Sequence, residues 1–296
     1  MDEKRPAALA AQPHLLQSQK MNFTPLLRLA RDGAAISITG IFAFPFLWWG
    51  LTAFKPASAI FDKDNPGLFN FKPDFDNFRF ALGGYGPEAL SAKATFINSV
   101  VIAFSSTAIA LICGLMAAYA MRRLTPQIRR RWLSTVVLLR IIPPIAIAIP
   151  ALLVFQKMNL FDTRLSVVFI HALFNLPIAI LLLSSFMEDV PFEIDEAAKL
   201  DGAGNITLLL RVIMPMMKGG IAASAILCAI FSWTEFLLSL FLSVSFRTLP
   251  VKLAILPLND VGPLAAAGTL SMIPSWIFIL FVQRHLVRGL TLGHAK

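Results

Sequence analysis

Charge is scarce in this 296-residue chain. Asp, Glu, Lys and Arg together make 15% of it, against 57% for the hydrophobic residues. A soluble domain of this length carries about a quarter charged residues and interrupts its apolar runs more often, so a soluble globular fold is excluded. Cysteine is scarcer still. Cys113 and Cys228 both fall inside apolar runs, where a thiol behaves as a small hydrophobe, so neither a disulfide framework nor a thiolate metal site is expected. The four histidines, His14, His171, His285 and His294, are scattered and lack metal-ligand spacing. There is no phosphate loop of the form G-x-x-x-x-G-K-[ST]; Gly202-Ala203-Gly204 is too little to stand for one. Neither a nucleophile elbow nor a cluster of His, Asp and Glu supports a membrane enzyme. Low-complexity tracts and an evident internal repeat are also missing.

What the chain does have is six apolar runs near the ~20 residues needed to cross a bilayer: Ala34–Phe54, Thr95–Tyr119, Leu133–Phe155, Leu165–Met187, Gly219–Val244 and Ala265–Val282. Runs of this length suit helices and not barrel strands, so an all-α, polytopic membrane protein with six transmembrane helices is expected. The first run follows a largely polar stretch, residues 1–33, and is too long for a cleaved signal peptide; it is expected to remain as a helix.

The net charge of +9 is distributed by segment. Lys4, Arg5, Lys20, Arg28 and Arg31 precede the first run. Arg122, Arg123, Arg129, Arg130 and Arg131 fill the link after the second, with no acid among them. Lys199, Arg211, Lys218, Arg284, Arg288 and Lys296 fall on the same side. The opposite loops are poorer in cations, and the longest of them offsets its cations with acids. The positive-inside rule then puts both termini in the cytoplasm, and the charge reports orientation and contact with anionic membrane lipid, not nucleic acid. The outer loop 55–93 is rich in aromatics, including Phe61, Phe69, Phe71, Phe75, Phe78, Phe80 and Tyr85. They suit an interfacial belt or a docking surface for an outer partner. Link 156–164 carries turn chemistry in Asn159-Leu160-Phe161-Asp162-Thr163, and loop 245–264 contains Pro250, Pro257, Asn259-Asp260 and Gly262-Pro263. Prolines inside runs (Pro45, Pro143, Pro144, Pro150, Pro177, Pro274) favour kinks.

Residues 188–218 are polar and helix-prone, more than a chain needs to turn round. Asp189 can cap a helix beginning at Pro191. Glu193, Asp195 and Glu196 suit the positive end of its dipole, and Ala197, Ala198, Lys199 and Leu200 continue it. Asp201-Gly202-Ala203-Gly204-Asn205 breaks it; Ile206–Val212 forms a second short helix, closed by Pro215. The result is a compact knob whose two alanines leave one face without bulk. An amphipathic hairpin resting on the membrane is the plainer reading.

Glu196-Ala197-Ala198, then Gly202, then Val212-Ile213-Met214-Pro215 resembles the E-A-A-x-x-x-G…I-x-L-P loop of bacterial ABC-importer permeases. Asn98-Ser99, Ala117-Ala118-Tyr119-Ala120-Met121-Arg122, Arg140-Ile141-Ile142-Pro143-Pro144, Trp233-Thr234-Glu235-Phe236, Thr248-Leu249-Pro250 and the tail Gln283–Gly293 look like signatures of the carbohydrate-importer permeases, close to the second permease of the maltose transporter. The family usually has Asn at the position of Thr234, and a longer third outer loop with a Trp. The resemblance implies type I ABC-importer permease architecture in the bacterial inner membrane. Residues 1–33 are then a cytoplasmic tail, 34–93 the first helix and a long periplasmic loop, 94–285 the core, and 286–296 a cytoplasmic tail. The partners implied are a homologous second permease (as a heterodimer), a dimer of ATPase subunits and a periplasmic solute-binding protein. The cargo is a sugar, polyol, glycerol phosphate or sugar derivative. ATP and Mg would be bound by the ATPase, no cofactor by this chain, and no reaction would be catalysed by it. Coupling to the ATPase falls on Asp195, Glu196, Ala197, Ala198, Asp201, Gly202 and Pro215.

Arg140 and Glu235 are the clearest ionisable residues inside the runs, where a charge is costly unless paired or hydrated. Pore polarity, a gate, contact with sugar hydroxyls, or a structural tie to a neighbouring helix are the readings open to them. Asn175, Ser232, Thr234 and Ser271 add hydrogen-bonding groups for a solute path. The alternative is a self-sufficient secondary carrier, which usually places several acids in its spans; here Glu235 is nearly alone.

Overall fold

In the computed structural model of the chain, the described residues are 25–62, 69–83, 92–256 and 261–292, with side chains described between 28 and 281. Tyr85, Pro257, Asn259-Asp260, Gly293 and the start of the N-terminal tail lie outside them. Every described element is helical: α1 Pro25–Ala53, α2 Ala57–Ile60, α3 Asp76–Gly83, α4 Ala92–Arg122, α5 Pro126–Ile141, α6 Pro144–Lys157, α7 Arg164–Glu188, α8 Glu193–Leu200, α9 Asn205–Thr207, a π-turn Leu208–Ile213, α10 Met214–Met216, α11 Lys218–Thr234, α12 Leu237–Leu242, α13 Leu249–Ile255 and α14 Val261–Leu292. The stretch up to Trp48 is one unit and residues from Trp49 onward another. In the first, Ile36, Ile41, Phe42 and Leu47 of α1 are exposed, as a helix bathed in hydrocarbon requires.

Among the described residues, four helices are long and apolar enough to cross a membrane: Arg28–Ala53, Ala92–Arg122, Arg164–Glu188 and Val261–Phe281. Two more candidates are bent pairs, Pro126–Ile141 with Pro144–Lys157 at 87° and Asn205–Met216 with Lys218–Thr234 at 84°, giving six if each is one span. The expected third run, Leu133–Phe155, is therefore not a continuous helix. Pro143 and Pro144 remove two successive amide donors, and a residue before proline is pushed out of the helical region; Ile142 accordingly ends α5 with ψ 122° and Pro144 opens α6. Pro45, Pro150, Pro177 and Pro274 stay inside their helices.

The expected fifth run, Gly219–Val244, is also corrected. α11 stops at Thr234, Glu235 is extended with ψ 127°, and α12 follows. The Glu235 carboxylate accepts the amides of Leu238 at 2.8 Å and Ser239 at 3.1 Å, capping α12 and offering the backbone an alternative to helix continuation. At ~1.5 Å per residue α11 alone reaches ~25 Å, short of a ~30 Å hydrocarbon core.

α4 and α7 form the centre. At Gly114 an added Cβ would lie 3.0 Å from the Ala179 Cβ, so absence of a side chain sets their closest approach. α11 joins at Gly220, where an added Cβ would fall 2.3 Å from the Phe186 ring. One core, with Leu115, Leu183, Met187, Leu208 and Ile213, seals these helices at the polar-loop end. Another, with Ile102, Val167, Ile170, Leu238 and Leu242, seals the opposite end. There, Asp162 at φ 56° clamps the segment after α12. Its Oδ1 accepts the amides of Val244 and Ser245 at 2.8 and 2.7 Å, and its Oδ2 accepts the Ser245 hydroxyl at 2.6 Å. The same segment is held from α4: Asn98 donates to the Arg247 carbonyl at 3.3 Å and accepts from Arg164 Nε at 2.9 Å, while Ser99 Oγ accepts the Leu249 amide at 2.8 Å. α14 packs beside them through Ala265, Ala266 and Ala267, with Gly268 against Trp49.

Candidate functional site

The polar loop folds as two short helices joined by a tight stop. α8 begins at Glu193, two residues later than expected, and Asp189 does not cap it; Asp189 ends α7 instead. Glu193, Asp195 and Glu196 occupy its first turn, where the dipole favours acids. At its end Gly202 has φ 82°, its amide donates to the Lys199 carbonyl at 3.0 Å, and the Ala203 amide donates to Ala198 at 2.9 Å. This is a Schellman stop, which wants glycine at the left-handed position. The second helix widens into a π-turn at 208–213, the Met214 amide reaching back to Leu209. Pro215 supplies the reason: it has no amide for the Arg211 carbonyl, its ring crowds that carbonyl, and an inserted residue relieves both. The chain bends after Pro215, at Met217, whose amide bonds to Ile213 and Met214.

Two features of this loop were not legible beforehand. Ala197 and Ala198 do not share a face: Ala197 is exposed, whereas Ala198 packs on the core beneath the loop. The outward surface consists of Glu196, Ala197, Asp201 and Gly202, with Leu200 at 89% and Ile206 at 75% exposure. Asp195 is wholly buried and pairs with Arg122 at the end of α4 at 3.2 Å. Arg122 also donates to the carbonyls of Met187 at 2.6 Å, Val190 at 2.9 Å and Pro191 at 3.1 Å. One guanidinium thus ties α4, the end of α7 and α8 together. Arg129 of α5 pairs with Glu188 and adds a second tie to α7. The signal for Arg122 was its place at the first polar position after the second apolar run; nothing local named its acceptors, which lie 65 to 73 residues away.

Within the spans, a buried polar chain crosses four helices at the break in α11/α12. His171 Nδ1 lies 2.7 Å from Ser232 Oγ, and its Nε2 lies 2.9 Å from Ser239 Oγ and 3.1 Å from the Glu235 carboxylate. Ser106 Oγ on α4 is 2.9 Å from Ser232 Oγ. A carboxylate only accepts, so the ring proton is assigned to Nε2, with Nδ1 accepting from Ser232. His171, passed over for lack of metal spacing, is the hub. Among the described residues no group of His, Cys, Asp and Glu could hold a metal ion.

The remaining sequence candidates divide. Ser232 and Glu235 belong to this chain of contacts. Asn175, one turn along α7 from His171, donates to the Cys228 carbonyl at 3.1 Å, and its buried Oδ1 has no partner. Arg140 does not meet Glu235. It donates to the Phe174 carbonyl at 3.1 Å, and its guanidinium lies 4.4 Å and 4.9 Å from the Phe174 and Phe231 rings. It borders an apolar cleft of about 210 Å³ in the elbow between α5, α6 and α7. Thr234 is exposed and bonds back to Ile230, while the Ser271 carbonyl accepts from Trp233 Nε1.

Residues 110–292 match the family of binding-protein-dependent transport system inner membrane components. The chain is 33% identical over 266 residues to a trehalose transport system permease protein of Mycobacterium tuberculosis, covering 88% of this chain and 94% of that one. To a sulfoquinovosyl glycerol transport system permease protein of Agrobacterium fabrum it is 30% identical over 258 residues, 86% and 88% of the two chains. A crystal structure of a bacterial ABC transporter involved in the import of the acidic polysaccharide alginate shares the fold, with a TM-score of 0.71 at 18% identity over 88% of this chain and 98% of that one. With its broken spans and the polar knob tied beneath α4 and α7, this chain belongs to the family of binding-protein-dependent transport system inner membrane components, the permease subunits of ABC importers.

Proposed function

We propose that this chain forms half of the translocation path for a sugar or sugar derivative, paired with a homologous permease. Two ATPase subunits, which bind ATP and Mg, dock on the polar knobs from the cytoplasm, and a periplasmic solute-binding protein delivers cargo to the opposite face. Both termini lie in the cytoplasm of a bacterium, on the side favoured by the arginine-rich link. The relatives named above, for trehalose and for sulfoquinovosyl glycerol, support the sugar class.

The observation that carries this reading is the knob's construction. Its outer surface holds Glu196, Ala197, Asp201, Gly202, Leu200 and Ile206 uncovered, while its inner surface is fixed to α4 and α7 through Arg122 and a shared core. A push on the tip is thereby passed to two pore helices at once, and through the bend at Met217 to α11. Exposed Leu200 and Ile206 add apolar surface to a polar tip, which suits a protein partner. On the solute side, Ser232 and Glu235 hold the helix break, which leaves Arg140, Asn175, Thr234 and Ser271 as the groups with capacity for hydroxyls.

The test is to co-express the chain with its genomic neighbours, purify it, and assay ATPase for wild type and Gly202→Asp. Co-purification of an ATPase that Gly202→Asp loses or uncouples is the expected result. A chain that purifies alone and transports by itself, indifferent to the substitution, would leave a secondary carrier as the better reading.

A further inference from the structure

A cleft of about 260 Å³ lies between α5 and the base of the polar loop, away from the solute path. Its lining combines the polar side chains of Arg122, Arg129, Ser184 and Glu188 with the apolar ones of Met187 and Phe192. Glu188 is its one carboxylate and is engaged by Arg129. Arg122 Nε, Arg129 Nε and Ser184 Oγ, all of lining residues, are buried without a hydrogen-bond partner. Next to Arg129 on α5, Arg130 and Arg131 are exposed in a link that contains no acid, and Trp132 is 56% exposed. The cleft sits where α4, α5 and α7 leave the apolar part of the molecule.

We infer that this cleft seats the phosphodiester of an anionic phospholipid, its phosphate against Arg129, with the neighbouring Arg130 and Arg131 of α5 adding positive charge, and its glycerol portion against Met187 and Phe192. Guanidinium groups match phosphate oxygens in pairs, and basic pockets between transmembrane helices suit anionic headgroups. The half-apolar lining favours a lipid over free phosphate, and the exposed indole of Trp132, three residues on from Arg129, fits the headgroup level of a bilayer. At ~300–1,000 Å³ for clefts that take a whole drug-sized ligand, this one holds a headgroup while the acyl chains stay in the bilayer. Because Arg122 and Arg129 also fasten the polar loop, the bound lipid becomes part of the loop's footing. The site depends on this end of the spans meeting a membrane surface and on nothing about the solute.

Native mass spectrometry of the full chain, purified from membranes and re-exposed to equal phosphatidylglycerol and phosphatidylcholine, tests it. Wild type should retain phosphatidylglycerol at least tenfold over phosphatidylcholine. Arg130→Gln/Arg131→Gln should lose most of that preference. Arg129→Lys, which keeps the charge and the Glu188 pair but not the planar fork, should lower it severalfold. A charge-matched control on the polar loop, Lys199→Gln/Arg211→Gln, should keep it. Equal loss in the control would reduce the effect to general attraction and overturn the site. Displacement of the lipid by millimolar inorganic phosphate would assign the cleft to a free anion instead.

Discussion

At Gly202 the backbone φ is 82° and nothing stands within 4 Å of where a Cβ would be. Space is not the constraint there; conformation is, and a non-glycine residue pays about 1–2 kcal/mol in the left-handed region. Gly202→Ala is therefore expected to loosen the end of α8 without a clash, lowering coupled ATPase less than Gly202→Asp. The same scale governs the helix break. Glu235→Ala removes the cap from Leu238 and Ser239 and the carboxylate from His171, and should lower thermal stability in detergent by about 1–2 kcal/mol. Glu235→Gln, which keeps the shape, should cost less. At the opposite end, burial pushes the Asp162 carboxyl up, but hydrogen bonds from Ser245, Val244 and Ser243 outweigh it and hold the group below the ordinary carboxylate range. A lowered folded value means the clamp is fully present above about pH 3.9 and is lost as pH falls through the folded value. Asp162→Asn should be less stable at neutral pH and show a shallower acid transition, read by intrinsic fluorescence. Residue types with a local role were legible: the turn glycine, the turn-forming Asn159 and Asp162, the acids of the first helical turn. Residues with distant partners were not. His171 has two serines and a carboxylate around it, all at least 61 positions away, and no spacing rule reaches that far.

Among elements, the decisive pair is Arg122 with Asp195, whose side chains are 8% and 1% exposed. Breaking a buried pair from one side leaves a stranded charge and costs about 3–5 kcal/mol. Arg122→Leu and Asp195→Leu are each expected to lower both stability and coupling, whereas the two together should fall well short of the sum of the single losses, measured as a double-mutant cycle. Gly220→Leu should disrupt the α7–α11 contact at Phe186 by about 1–3 kcal/mol through overpacking. Hydrophobic length predicted where spans lie, but length cannot see a break. In the third run two adjacent prolines did carry that information, and their combined effect exceeds that of the single prolines elsewhere. In the fifth, the break is made by a carboxylate accepting the amides three and four residues ahead, which reads in sequence as one acid in an apolar run. The two-helix knob was legible in its breakers, yet the division of its alanines between tip and core follows from how Ile194, Ala198 and Ile213 bury beneath it.

At the scale of the molecule, the composition alone excluded a soluble domain, and the family match and the relatives agree with the importer-permease signatures spread along the chain. The six-span plan was legible because membranes impose length; the polar network inside was not, because membranes leave its partners free to come from anywhere. The tie at Arg122 also has a consequence for how the chain is made. Its acceptors are synthesised 65 to 73 residues after it, some 3–15 s at about 5–20 residues per second. Until then the guanidinium at the end of α4 is held by water alone. A chain that ends before Asp195 cannot close this tie, so α4, the end of α7 and α8 are fastened to one another only late in synthesis.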